Sequence, residues 1–156
     1  MSDENNVSTG QELLSQLSDP VIERTEWSGR QTDWLLQWFV QFVAKSKIEI
    51  GITLSVGGSM ITGNLVGPQS YFEQLAEDLS APFAVLEDQT AGNIKDVILG
   101  FKPEDPNDDD PAFQYIHLKD CTTYSDVNSS IVSGGVLWRG KIASVDGFTL
   151  GSVRKS

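Results

Sequence analysis

At Lys47 the apolar residues of this chain change period, and that switch constrains the fold more than any other feature. Before it, within residues 33–46, Leu35, Trp38, Phe39, Phe42 and Val43 recur at three- and four-residue spacing, the pattern of an amphipathic helix. After it, Ile48, Ile50, Ile52, Leu54 and Val56 alternate with Glu49, Gly51, Thr53 and Ser55 over residues 48–56, the pattern of a strand with one buried face. Gly57-Gly58 tolerates the positive φ of a tight turn, and Met60 to Val66 read as a returning strand in which Gly63 suits a bend or bulge. The chain ends on YIHLKDCTTY and VLWRGKIASVDGFTLGSV, which read as closing strands. Val136 to Val145 form one long strand, and Asp146-Gly147 signals a type I′ hairpin into a last strand from Phe148 to near Val153. These segments predict a mainly β fold with helices: a small, strongly bent five-strand barrel. The 33–46 helix lies against one open end, and a helical insertion spans 68–112.

The 33–46 helix has a narrow polar face of Gln37, Gln41 and Lys45, and either Thr32 or Asp33 can cap its first turn. Trp34, Leu36 and Val40 flank the apolar stripe, so the arc is wide and needs cover on more than one side. Trp34, Trp38 and Phe42 are the residues expected at an interface. In the insertion, Ser70 and Glu73 stand at capping-box spacing. Phe72, Leu75, Ala76 and Leu79 then mark a short amphipathic helix ending before Pro82. Residues 83–101 stay open between strand and loop: FAVLED could be either, and IKDVILGF has strand-like residues without clean alternation. EDPNDDD, at 104–110, lacks the ligand spacing and glycine of a calcium loop and reads as an acidic surface loop.

At 156 residues the chain is long enough for one cored domain. The reading divides it into a polar, partly flexible segment at 1–28, with a short helix at 11–19 as one option, and a single domain at 29–156. Twenty-two acids against eleven bases give a formal net charge of -11, a field that repels nucleic acid and anionic membranes unless the bases cluster. The acidic N-terminus is the opposite of a targeting segment, and no apolar run approaches the ~20 residues that cross a bilayer. A single cysteine, Cys121, cannot form an intrachain disulfide and fits a reducing cytoplasm.

Chemistry-bearing patterns are sparse. His117 is the one histidine, placed on the outward face of its strand. With Cys121 four residues away it lacks the further ligands a zinc site needs, and ~13 Å of extended strand separates the two, too far for a nucleophilic pair. There is no GxSxG elbow and no phosphate-binding glycine loop. No catalytic residue, metal or cofactor is assigned. The one basic and aromatic cluster is Trp138, Arg139 and Lys141, with Arg139 and Lys141 on one face of the strand and Trp138 on the other.

These strands resemble the Sm-like family. Ile52-Thr53-Leu54 leading through Gly57-Gly58 to Gly63-Asn64-Leu65 is similar to its first block, and Leu137-Trp138-Arg139-Gly140-Lys141-Ile142 to its second. That resemblance implies single-stranded RNA binding, with Arg139 helping to hold a base and Lys141 beside it. The Asp and Asn of the first block have no counterpart in Gly67-Pro68-Gln69-Ser70-Tyr71. Across residues 33–151, DWLLQWFVQF, IEIGITLSVGG, YIHLKD and GGVLWRGKIASVDGFTLG also resemble the gas vesicle protein U (GvpU-like) family. This second resemblance implies a small soluble accessory factor, associated with vesicle clustering or assembly and without enzymatic activity. Its partners would be itself, as a homo-oligomer, and another protein or the vesicle surface. The Sm-like RNA-binding module is the alternative function.

Overall fold

The computed structural model describes residues 32–107, 113–125 and 130–153. The segment at 1–28 and its possible helix lie outside these residues, as does part of the acidic stretch at 104–110. Among the described residues, three α-helices and five strands follow in the order α1 (Trp34–Ser46), β1 (Ile50–Val56), β2 (Ser59–Val66), α2 (Pro68–Ser80), α3 (Thr90–Leu99), β3 (Tyr115–Tyr124), β4 (Ser130–Lys141) and β5 (Gly147–Leu150).

The strands form one antiparallel sheet in the order β4-β3-β2-β1-β5. Alternation sets its inner face. Ile52 and Leu54 of β1, Ile61 and Leu65 of β2, and Ile116, Leu118 and Cys121 of β3 are buried with Leu36, Val40 and Val43 of α1 in one apolar cluster. The β1–β2 turn uses positive φ at both Gly57 and Gly58, 56° and 83°. At Gly63 the register between β2 and β3 shifts. A Cβ there would stand 2.8 Å from the Lys119 carbonyl oxygen and 3.2 Å from Cys121 Cα, so the bend expected at this glycine is where two strands approach too closely for any side chain.

The expected barrel is not formed. The sheet is open, with β4 and β5 as its two separate edges. Two local departures account for this. First, β4 ends at Lys141, and Ile142–Ser144 turn as a 3-10 helix rather than continuing the strand to Val145. Second, Asp146-Gly147 does not make a β4–β5 hairpin: β5 pairs with β1, Leu54 opposite Phe148 and Ile52 opposite Leu150. Asp146 is drawn to the first hairpin instead. Its amide donates to the Ser55 carbonyl at 2.8 Å, and its carboxylate accepts from the Gly57 amide at 2.9 Å. Helices then lie on both faces. α1 covers the Ile52–Leu54 face, while α2 covers the opposite face at His117, with the Tyr71 ring 4.6 Å away. The architecture is a mixed α/β layer rather than a mainly β barrel.

Further corrections concern the helices and the first strand. α1 is capped by Asp33, whose Oδ1 accepts from the Leu35 and Leu36 amides at 2.9 and 3.3 Å. Its buried residues are Leu36, Val40, Val43 and Ala44. The core therefore takes one flank of the expected stripe, and Leu35, Trp38 and Phe42 are exposed. A helix apolar on nearly every side leaves its rotation to tertiary packing. α2 begins two residues before Ser70: Gly67 is its N-cap and Pro68 its first residue, a position where proline has no amide to waste. The undecided segment contains α3, so IKDVILGF is helical up to Leu99. β1 begins at Ile50, and Ile48 is exposed outside it.

Candidate functional site

Two surfaces hold the residues singled out in the sequence, and they lie on opposite faces of the sheet. The first is the outer ridge of α1. Trp34, Trp38 and Phe42 follow at four-residue steps and so share one face. They are 74%, 50% and 39% exposed. Trp38 stacks on Phe42, with ring centroids 5.3 Å apart and planes 7° from parallel, and meets Phe39 edge-on at 5.2 Å. Phe39 in turn meets Phe148 of β5 at 5.9 Å. At Trp38 and Phe42 the ridge is thus braced from beneath and open above.

The second surface surrounds Arg139 on β4. Arg139 stands opposite His117 in the β3–β4 register, and Lys141 opposite Tyr115. The Arg139 guanidinium lies over the Tyr115 ring, 3.9 Å from its centroid, and its Nε donates to His117 Nε2 at 3.2 Å. Trp138 points to the other face and packs against the core. The expected opposition of Trp138 to Arg139 and Lys141 therefore holds.

His117 corrects the reading of an outward, solvated side chain. It is 3% exposed, packed beneath Tyr71 and Phe72 of α2. Because Nε2 accepts from Arg139, Nδ1 carries the proton, and this buried nitrogen has no hydrogen-bond partner. Burial, and secondarily the Arg139 charge, push the His117 pKa down to about 4. The ring is held neutral, a platform under Arg139 rather than a base. The alternation of YIHLKD placed His117 on the correct face; nothing in the sequence showed that a helix would cover that face. Cys121 is fully buried, and burial pushes its thiol up to about 11, which leaves it unreactive at neutral pH.

No group of three or more His, Cys, Asp or Glu side chains able to hold a metal ion occurs among the described residues. None of the described helices is long and apolar enough to cross a membrane. Two shallow clefts border α2. One of about 230 Å³ lies between the end of α1 and the start of α2, at Lys47, Gly67 and Glu73. Another of about 360 Å³ lies between α2, α3 and Lys119.

The family model of gas vesicle protein GvpU-like matches residues 33–153. The chain belongs to the GvpU-like family. Its function is accordingly that of a gas vesicle accessory protein and not of an enzyme. The match starts at Asp33, the cap of α1, and ends at Val153, whose amide donates to Thr62 Oγ1 at 2.8 Å. It takes in both surfaces described above. No curated protein and no solved structure matches the chain.

Proposed function

We propose that this GvpU-like accessory protein works by contact, in the cytoplasm, using the Trp34, Trp38 and Phe42 ridge to bind the gas vesicle surface or a protein attached to it. The carrying observation is the ridge itself: three large exposed aromatic side chains on one face of α1, with Trp38 stacked on Phe42 and braced from below through Phe39 and Phe148. Aromatic side chains that are rigid before binding contribute large area at small entropic cost, and contiguous apolar patches of this kind mark interaction surfaces. A buried, unreactive Cys121 is compatible with a reducing compartment.

The same reading includes self-association. Among the described residues the sheet ends at β4 and β5, and the ridge leaves apolar area exposed. A net charge of -11 opposes association of like copies, so it should strengthen as salt screens that repulsion.

Flotation tests the contact. Purified gas vesicles rise on centrifugation and carry bound protein with them. The wild-type chain is expected in the buoyant layer, and the Trp34→Ser, Trp38→Ser double variant about tenfold depleted from it, the scale of losing an aromatic anchor. Equal flotation of the two proteins rejects the ridge as the contact. Sedimentation velocity at low and physiological salt tests self-association, and a monomer at high concentration in both rejects it.

A further inference from the structure

A second surface goes beyond that reading. In a chain with twice as many acids as bases, cations normally find carboxylates. Lys47 pairs with Asp105, Lys95 with Glu77 and Lys102 with Glu73. Arg139 and Lys141 have no carboxylate partner among the described residues, although both lie on the edge strand of the sheet.

Arg139 is moreover positioned. Its Nε–H is taken by His117 and its plane rests on Tyr115, while its two terminal nitrogens have no partner among the described residues. That leaves the end of a guanidinium fork presented in a fixed orientation, the geometry that binds a carboxylate through two parallel hydrogen bonds. The backbone beside it is also available. Beyond β4 no further strand pairs among the described residues, and Trp138 to Lys141 pair with β3 in unbroken register up to the 3-10 turn at Ile142. Side chains two residues apart on a strand project from one face at about 6.8 Å. An added strand with carboxylates at alternate positions would set them opposite Arg139 and Lys141, in the favourable cross-strand pairing of opposite charges.

From these observations we infer that the β4 edge around Arg139 and Lys141 is a docking site for an extended acidic peptide segment, which adds as a strand and places alternate Asp or Glu side chains over the two cations. Single-stranded RNA fits less well. The Tyr115 face on which a base would stack is already occupied by the Arg139 guanidinium, and stacking platforms need an open aromatic face.

The test is fluorescence polarisation of the full chain with a short labelled peptide alternating Glu with Val and Thr, at low and physiological salt. Saturable binding is expected, weakened about tenfold by Arg139→Gln and a few-fold by Lys141→Gln. N-methylation of alternate peptide amides keeps the charge and removes strand pairing, so it should abolish binding without any change to the protein. Undiminished binding of the N-methylated peptide overturns strand addition. Absence of binding by the alternating peptide at low salt overturns the site, and leaves the two cations as guards against edge-to-edge aggregation. A labelled single-stranded RNA that binds more tightly than the peptide, and is released by Arg139→Gln, overturns the choice of partner. The Trp34→Ser, Trp38→Ser variant should bind the peptide as the wild type does, which separates this site from the vesicle contact.

Discussion

α1 and α3 are both short amphipathic helices, and they are held in opposite ways. α1 buries Leu36, Val40, Val43 and Ala44 against the sheet and has its first turn closed by Asp33. α3 buries no residue completely, and its N-cap Gln89 makes no side-chain bond; its first turn is held by Asp88, whose exposed Oδ1 accepts from the Thr90 amide at 2.9 Å. It leans on α2 through half-buried contacts and through the exposed ion pairs Lys95–Glu77 and Lys102–Glu73, which contribute little in water. Val97 and Phe101, one turn apart, face outward. Isolated helices below ~12–15 residues are marginal, and most helical stability comes from packing. One helix is therefore part of the core, and the other is an appendage tied at its base.

Hydrogen exchange should show the largest consequence. Amides of β1 and β2 open only with global unfolding, at ~5–15 kcal/mol, whereas α3 opens locally at a few kcal/mol. α3 should therefore exchange at least ~1000 times faster than β1. Equal protection would break the comparison and mean that a second copy covers Val97 and Phe101 in solution.

Substitution should repeat the contrast. Leu54 is fully buried in the cluster that α1 covers, and Leu54→Ala should cost ~2–5 kcal/mol in urea unfolding. Val97→Ala, on the outer face of α3, should stay within ~0.5 kcal/mol. A comparable loss at Val97 would again indicate a cover over α3.

The two faces of the sheet also differ in their response to acid. The α1 face is apolar, while the α2 face contains His117, neutral and with Nδ1 unpartnered. Its folded pKa of about 4 lies below the ordinary 6.5, so between these values the unfolded chain binds a proton that the folded chain refuses. Stability contributed by neutral His117 is fully present above pH 6.5, falls as pH drops toward about 4, and falls no further below it. The loss across this window is roughly 3 kcal/mol by linkage. His117→Leu should flatten that part of the pH profile. An unchanged slope would mean that other groups carry the acid response.

What the sequence disclosed follows the same divide between local and distant causes. β1 and β2 were legible because burial of one face imposes a two-residue alternation on Ile50, Ile52 and Leu54, and because Gly57-Gly58 marks the turn between them. The open ending of the sheet was not legible. Asp146-Gly147 is a strong local hairpin signal, but the β1 edge offers Ile52 to Ser55 as partners for β5, and that competition is invisible in a window of a few residues. α3 was obscured by its β-branched content, Ile94, Val97 and Ile98, which α2 overrides by packing beside it. Among site residues, the shared face of Trp34, Trp38 and Phe42 could be read from spacing, and so could that of Arg139 and Lys141. The burial of His117 depends on α2 crossing the sheet from far away in sequence, and no signal near His117 records it.

The smallest effect separates two helix starts that look alike in sequence. Thr32-Asp33 and Ser70 both offer a side-chain oxygen ahead of an apolar run, but only Asp33 acts as a cap. In α2 the fixed φ of Pro68 starts the helix behind Gly67, so Ser70 already lies inside it, where its hydroxyl closes no free amide. Asp33→Ala leaves the Leu35 and Leu36 amides without their acceptor and should cost ~1 kcal/mol, the usual value of an N-cap. Ser70→Ala replaces a residue inside a helix by the best helix former and should change stability by less than ~0.5 kcal/mol. Urea unfolding of the two variants side by side resolves the difference. A loss at Ser70 equal to that at Asp33 would mean that α2 frays back to a serine cap in solution, with Pro68 released from the helix.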